Sequence, residues 1–158
     1  MKFTNSLIKG KLLKRYKRFF ADIKVNSKII TAHCPNTGSM QGLLDQGNEV
    51  LVTEHNDPKR KLKFTLEIIK ARKRYVGVNT HRANKIVNHG LENKLISEFK
   101  AIKNIKPEFK FSDDTRFDFL CDDNLIEVKN VTLFRENDIA EFPDAVTSRG
   151  TKHLNMLI

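Results

Sequence analysis

Arg116-Phe117-Asp118-Phe119-Leu120-Cys121-Asp122-Asp123-Asn124-Leu125-Ile126-Glu127-Val128-Lys129-Asn130 reads as two strands, Arg116 to Cys121 and Leu125 to Leu133, joined by the polar turn Asp122-Asp123-Asn124. Side chains of a strand alternate between faces, so Phe117 and Phe119 share one side and Asp118 takes the other. Ile126 and Val128 likewise oppose Glu127 and Lys129. A hairpin centred on Asp122-Asp123 pairs Phe117 with Val128 and Phe119 with Ile126, and that register sets Asp118 directly across from Glu127. A slip of one residue would mix the faces, which burial opposes.

Two carboxylates facing each other across a ladder repel and destabilise the pair. The placement calls for a cation. Lys129, two residues beyond Glu127 on the same face, supplies part of it, and a divalent metal held by Asp118 and Glu127 supplies the rest. Paired carboxylates suit Mg²⁺ or Mn²⁺. Such a site polarises a phosphate oxygen and acidifies a bound water, with Asp118, Glu127 and Lys129 as its catalytic set and Lys129 orienting the water. Read blandly, Glu127 and Lys129 are a solvated strand face and Asp118 one more surface acid, since a bare D…ExK pattern is common by chance.

Working outward, the charge is uneven. The 158 residues carry a net charge of +10. Residues 1–80 hold 17 Lys and Arg against 6 Asp and Glu, while residues 81–158 hold 12 against 13. A front domain, 1–80, with that excess attracts polyanions. Nucleic acid is the first candidate partner. An anionic membrane surface is the runner-up, weakened because no basic amphipathic helix is evident. No apolar run is long enough to span a bilayer, and the start lacks the apolar core and cleavage site of a signal peptide. Two distant cysteines, Cys34 and Cys121, read most simply as free thiols in the cytoplasm.

The front half is β-structure: Phe19 to Val25, Lys28 to Cys34, Glu49 to Thr53, then Lys61 to Ile69 and Arg74 to Val78 as a long or paired strand. Turn chemistry at Pro35-Asn36-Thr37-Gly38, Asp45 to Asn48 and His55 to Lys59 separates them. Short strands without a long helix predict a small OB-like β-barrel. After Thr80 the period changes. Ile86, Val87, Leu91, Leu95, Ile96, Phe99 and Ile102 recur at helical spacing, with Gly90 as a break between two short helices. Phe142-Pro143-Asp144 opens a last helix. The fold class is therefore α+β, with an α/β domain over 81–158.

Several segments match a known family. Lys14-Arg-Tyr-Lys-Arg-Phe19, Cys34-Pro-Asn-Thr-Gly-Ser-Met40, Asn79-Thr-His-Arg-Ala-Asn84, Arg116-Phe-Asp-Phe119, Ile126-Glu-Val-Lys-Asn-Val-Thr-Leu133 and Phe142 to Leu154 occur in the order found there. On these the chain resembles the sugar fermentation stimulation protein A family. The resemblance implies an OB-like front domain, a back domain similar to PD-(D/E)xK nucleases, and DNA binding without marked sequence preference. It also implies a regulatory role in maltose and other sugar metabolism. Asp118 matches the family's strand-end aspartate, and Glu127 with Lys129 its ExK pair. No assured reaction comes with the family, and members continue beyond Ile158 into further strands and helices.

Other residues are candidates for nucleic-acid contact. Lys14, Arg15, Lys17 and Arg18, interleaved with Tyr16 and Phe19, offer phosphate contacts, with Phe19 and Phe20 assigned to the core. Asn36 sits in a turn whose backbone N–H groups can cradle a phosphate, although a structural turn is the simpler reading. Arg82 and Asn84 at a helix start either hold phosphate or cap the helix. Arg149 and Lys152, with His153, lie within one helical turn, and either line the site, Arg149 clamping a phosphate, or form an exposed polar face. Glu92 and Glu98 stand where such folds can add a carboxylate. No pattern suggests zinc. Two functions follow: a metal-dependent nuclease-like DNA-binding protein, or a DNA-binding regulator whose site is vestigial. An RNA-binding module is a third, weaker class.

Overall fold

The computed structural model describes residues 1–133, 139–143, 151 and 155. Contacts gather them into two units, one of Lys2–Thr80 with 130–133 and 139–143, the other centred on His81–Lys129 with Met1. Of the helix expected from Phe142-Pro143-Asp144 onward, Thr151 and Asn155 are described and helical, while Arg149 and Lys152 lie outside the described residues.

In the first unit the basic stretch near the N-terminus is itself a strand, β1 (Leu7–Tyr16). Gly10 and Leu12 are buried while Lys9, Lys11 and Lys14 are exposed. A register shift between Leu12 and Lys14 re-phases the pleat so that the third lysine also faces out. Reading strands from Phe19 onward missed this element. Four charged residues and a glycine mask the few inward positions that define it.

β2 (Phe20–Val25), β3 (Lys28–His33), β4 (Glu49–Glu54), β5 (Phe64–Ala71) and β6 (Arg74–Gly77) follow. Their order is β3-β2-β1-β4-β5-β6, and a parallel pairing of Ala32 with Phe64 and His33 with Thr65 joins β3 to β5. Five strands thus close into an OB-like barrel, as expected, and the segment from Lys61 to Val78 is a paired β5–β6 hairpin. Leu12, Ile23, Val50, Val52, Leu66 and Ile69 fill the interior, and Met40 and Leu43 plug it from the long β3–β4 connection. Each such side chain contributes about 1.5–3 kcal/mol by leaving water. The buried Glu67 lies among polar partners, its Oε1 accepting from the Thr53 hydroxyl at 2.8 Å and its Oε2 from the Asn79 amide at 2.8 Å.

The second unit holds α1 (Ala83–Glu92) and a sheet of order β7-β8-β9: β7 (Ile105–Lys110), β8 (Arg116–Cys121) and β9 (Asn124–Ile126). Gly90 does not break the helix. It lies inside α1, buried, because a Cβ there would stand 3.2 Å from Ile96 Cγ1 as the chain folds back. The second expected helix is only a 3₁₀ turn, Ser97–Phe99, and the strand β7 follows where none was expected. Leu91, Phe119 and Cys121 form the core, flanked by Val87, Ile96, Phe99, Ile102, Ile105, Ile126 and Val128. Of the residues at helical spacing, Val87, Leu91, Ile96, Phe99 and Ile102 pack in this core across the helix and the turn after it, while Ile86 and Leu95 are exposed.

At Gly10, β1 lies close against β2. A Cβ added there would lie 2.5 Å from Ile23 Cγ2 and 3.0 Å from the Lys24 carbonyl oxygen. Gly10→Val is expected to lower stability by about 1–3 kcal/mol through overpacking. Gly77→Ala, whose Cβ meets nothing within 4 Å, is expected to stay within about 0.5 kcal/mol of wild type in urea denaturation.

Candidate functional site

Phe117 and Phe119 of β8 are buried and Asp118 between them is half-buried on the other face, as alternation requires. Phe119 pairs with Ile126, the expected register, but β9 ends there. The direct opposition of Asp118 and Glu127 does not form as a ladder pair. Asp118 Oδ2 accepts the Val128 N–H at 2.6 Å, and its Oδ1 accepts the Asn84 side-chain amide from α1 at 2.6 Å. The carboxylate thereby replaces a ladder partner for the chain leaving β9. Glu127 is 11% exposed in its side chain and its Oε1 takes the ammonium of Lys129, which is 39% exposed.

Asp118, Glu127, Lys129 and Asn84 thus belong to one unit. Asp118 and Glu127 offer carboxylate oxygens, which fit a hard ion that keeps several waters and needs only one or two carboxylates. Among the described residues no group of three His, Cys, Asp or Glu side chains is placed to hold a metal. An open groove of about 380 Å³ borders Asp118 and is lined also by Asn84, Asn88, His89 and Glu92 of α1 and by Glu108 of β7. Strand register places Glu108 across from Asp118, between the pairs Pro107–Phe119 and Phe109–Phe117. Glu108 is a residue that sequence reasoning missed, because nothing in the pattern of 105–110 announces the strand that carries it. Glu92, noted in the sequence, accepts from the Asn88 amide at 2.8 Å, and Glu98 from the Ser97 hydroxyl at 2.6 Å.

The turn acid Asp122 has a different part. Its carboxylate accepts the N–H groups of Lys103 and Asn104, at 3.1 and 2.9 Å, and so fixes the entry into β7. Those backbone donors hold its pKa below the ordinary 3.8.

The basic candidates of the barrel divide in two. Arg15 donates from Nη2 to the carbonyls of Asn36, at 2.7 Å, and Arg18, at 3.0 Å. Arg18 donates to the Thr37 carbonyl at 2.9 Å. Asn36 is 3% exposed; its Oδ1 accepts the Gly38 N–H and its Nδ2 donates to Thr132 Oγ1. These three brace the 34–38 connection. Lys14 and Lys17 are exposed, Lys14 lying 3.6 Å from Asp22 Oδ2. Arg82 sits half-buried at the start of α1. Phe19, assigned to the core by its apolarity, is 44% exposed at the β1–β2 tip. It lies in the turn between β1 and β2, outside the buried set of Leu12, Ala21 and Ile23.

Among the described residues no helix is long and apolar enough to cross a membrane. Residues 13–78 match the model of an SfsA N-terminal OB domain, and residues 81–158 that of a sugar fermentation stimulation protein RE domain. A sugar fermentation stimulation protein homolog of Pelagibacter ubique is 64% identical over the whole chain, which spans 70% of that relative. The chain belongs to the sugar fermentation stimulation protein family. A second family member, from Alteromonas mediterranea, is 46% identical over 97% of the chain and 69% of its own length. The structure of Pyrococcus furiosus SfsA in complex with Ca²⁺ superposes with a TM-score of 0.82 at 23% identity, over 98% of this chain and 67% of that one. At that identity the likeness speaks for the shared fold of the family.

Asp118→Ala strands the Asn84 amide and the Val128 N–H, and is expected to cost about 1–3 kcal/mol in urea denaturation. Asn84→Ala is expected to cost less, because Asp118 keeps its backbone donor. Asp122 carries a separate pH signature. A carboxylate with a depressed folded pKa contributes stability above its unfolded value, and that contribution fades as pH falls through the folded value. The stability gap between wild type and Asp122→Asn is therefore expected to be full at neutral pH and to narrow below the ordinary 3.8, read from denaturation midpoints across the acid range.

Proposed function

We propose that this family member binds DNA through its basic barrel, largely without regard to sequence, and carries a metal-dependent phosphodiester site at Asp118, Glu127 and Lys129. The observation that carries the reading is the convergence at Asp118. Asn84 and the Val128 N–H fix one carboxylate beside the Glu127–Lys129 pair. Mg²⁺ or Mn²⁺ held by Asp118 and Glu127 would supply charge to a phosphate oxygen and acidify a water. The Pyrococcus relative, described as a Ca²⁺ complex, is in keeping with an oxygen-ligand cation in this fold. The chain's own residues do the rest. Asn84 orients Asp118, and the Lys129 ammonium stands ready to donate to a phosphate oxygen or a nucleophilic water. Lys14, Lys17 and the outward lysines of β1 supply a field for the DNA backbone, while Arg15, Arg18 and Asn36 hold the loop beneath them. Arg149 and Lys152 complete the set of proposed phosphate contacts from sequence alone. A cytoplasmic location fits two cysteines that are free and buried.

A second reading has an observation of its own. Both oxygens of Asp118 already accept N–H groups, which is what a purely structural aspartate does. On that reading the chain is a non-catalytic DNA-binding regulator of sugar metabolism, maltose included, with a vestigial site.

Retention of labelled DNA at low and moderate salt, with Mg²⁺ and with EDTA, separates the two. Both readings expect affinity to fall steeply with salt. Only the first expects DNA to be shortened in Mg²⁺ and left intact in EDTA, with Lys129→Ala binding normally but cleaving roughly 10²-fold more slowly or worse. DNA that stays intact throughout favours the regulator. No retention at low salt sinks both.

A further inference from the structure

The tip between β1 and β2 is built more rigidly than a surface turn needs to be. Lys17 and Arg18 adopt left-handed φ values of 46° and 63°. The Phe19 carbonyl accepts the Cys34 N–H at 2.7 Å, so the ring's backbone is fastened to the end of β3. Arg15 holds the Arg18 carbonyl, and Arg18 in turn holds Thr37. On this frame the Phe19 ring is 44% exposed. Beside it Tyr16 and Phe20 stack with centroids 5.5 Å apart and planes within 16°. The Lys14 ammonium lies 5.2 Å from the Tyr16 ring centroid.

The strands leading to the tip are lined with cations. Lys11 pairs directly with Lys24 across β1 and β2, both exposed. Like charges in that position destabilise a ladder, so a polyanion lying along it relieves a cost the fold otherwise carries. A lone exposed phenylalanine is ordinary. One fixed on a braced turn, flanked by lysines, at the mouth of an OB-like barrel has a specific chemical complement. It fits a flat aromatic face attached to a phosphate chain.

We infer that the β1–β2 tip selects single-stranded DNA, with Phe19 stacking on an unpaired base and Lys14, Lys17, Lys11 and Lys24 following the backbone. Duplex DNA satisfies the lysines but not the ring, since its bases already stack on one another. The inference rests on the DNA-binding reading above and narrows its substrate class to strands with unpaired bases. It does not depend on cleavage.

The chain has no tryptophan, so Phe19→Trp introduces a single fluorescent reporter at the tip. Wild type, Phe19→Ala and Phe19→Trp are compared by anisotropy, with labelled oligothymidine of roughly 20 nucleotides and a duplex of the same length. Wild type is expected to prefer the single strand. Phe19→Ala is expected to weaken single-strand binding about 5- to 150-fold, the worth of one stacked base, and to leave duplex binding nearly unchanged. Phe19→Trp is expected to retain binding, with its emission quenched by oligothymidine and not by duplex. Equal losses on both probes, no loss on either, or an unquenched reporter overturns the inference while leaving DNA binding intact. Failure of wild type to bind either probe at low salt overturns the DNA-binding reading itself. The Phe19→Trp arm keeps the test open should Phe19→Ala fold poorly.

Discussion

In β1 and in β8 alike, the side chains that a pleated strand turns inward leave their neighbours in sequence on the opposite face, and burial forbids the exchange. Leu12 and Gly10 inside hold Lys9 and Lys11 outside; Phe117, Phe119 and Cys121 inside hold Asp118 away from the core. The cationic surface of the barrel and the acid of the second unit are thus both consequences of apolar burial. Each charged group is placed by neighbours that never touch a ligand. Gly10 shows how tight the constraint is, since even a methyl group there collides with Ile23.

The carboxylates of the second unit avoid the repulsion that a regular hairpin would impose. β9 leaves the ladder after Ile126, and the Asp118 carboxylate takes up the freed Val128 N–H. Glu127 meanwhile meets Lys129. The departure from regular pairing gives both acids counter-groups inside one chain and brings the helix residue Asn84 into the arrangement. The carboxylate of Asp118 is thereby held in one orientation by protein groups alone.

Net charge counts guanidinium and ammonium groups alike, but the barrel uses them differently. Arg15 and Arg18, with planar forks suited to carbonyl oxygens, hold the 34–38 connection, while the lysines remain at the surface. The same connection sends Met40 and Leu43 into the core and encloses Asn36 against Thr132. Arg15 and Arg18 thus hold the connection next to the exposed Phe19 and its neighbouring lysines.

The sequence by itself determined the barrel strands from β2 to β6, the change to helical spacing after Thr80, the separation of Asp118 from its phenylalanine neighbours and the Phe119–Ile126 register. Each follows from a local period that burial enforces. It did not show β1, where charge outnumbers the inward residues, nor β7, where Pro107 stands inside the strand. It placed Phe19 inside on apolarity alone, and it read Gly90 as a break when the helix needs that glycine for the approach of Ile96. Those features depend on what a distant segment does: β2 and β4 flank β1, β8 pairs with β7, the end of β3 fastens the Phe19 turn, and the chain beyond α1 returns against Gly90. Only the tertiary structure decided them, because a local pattern states which face a residue prefers and long-range pairing states which faces exist.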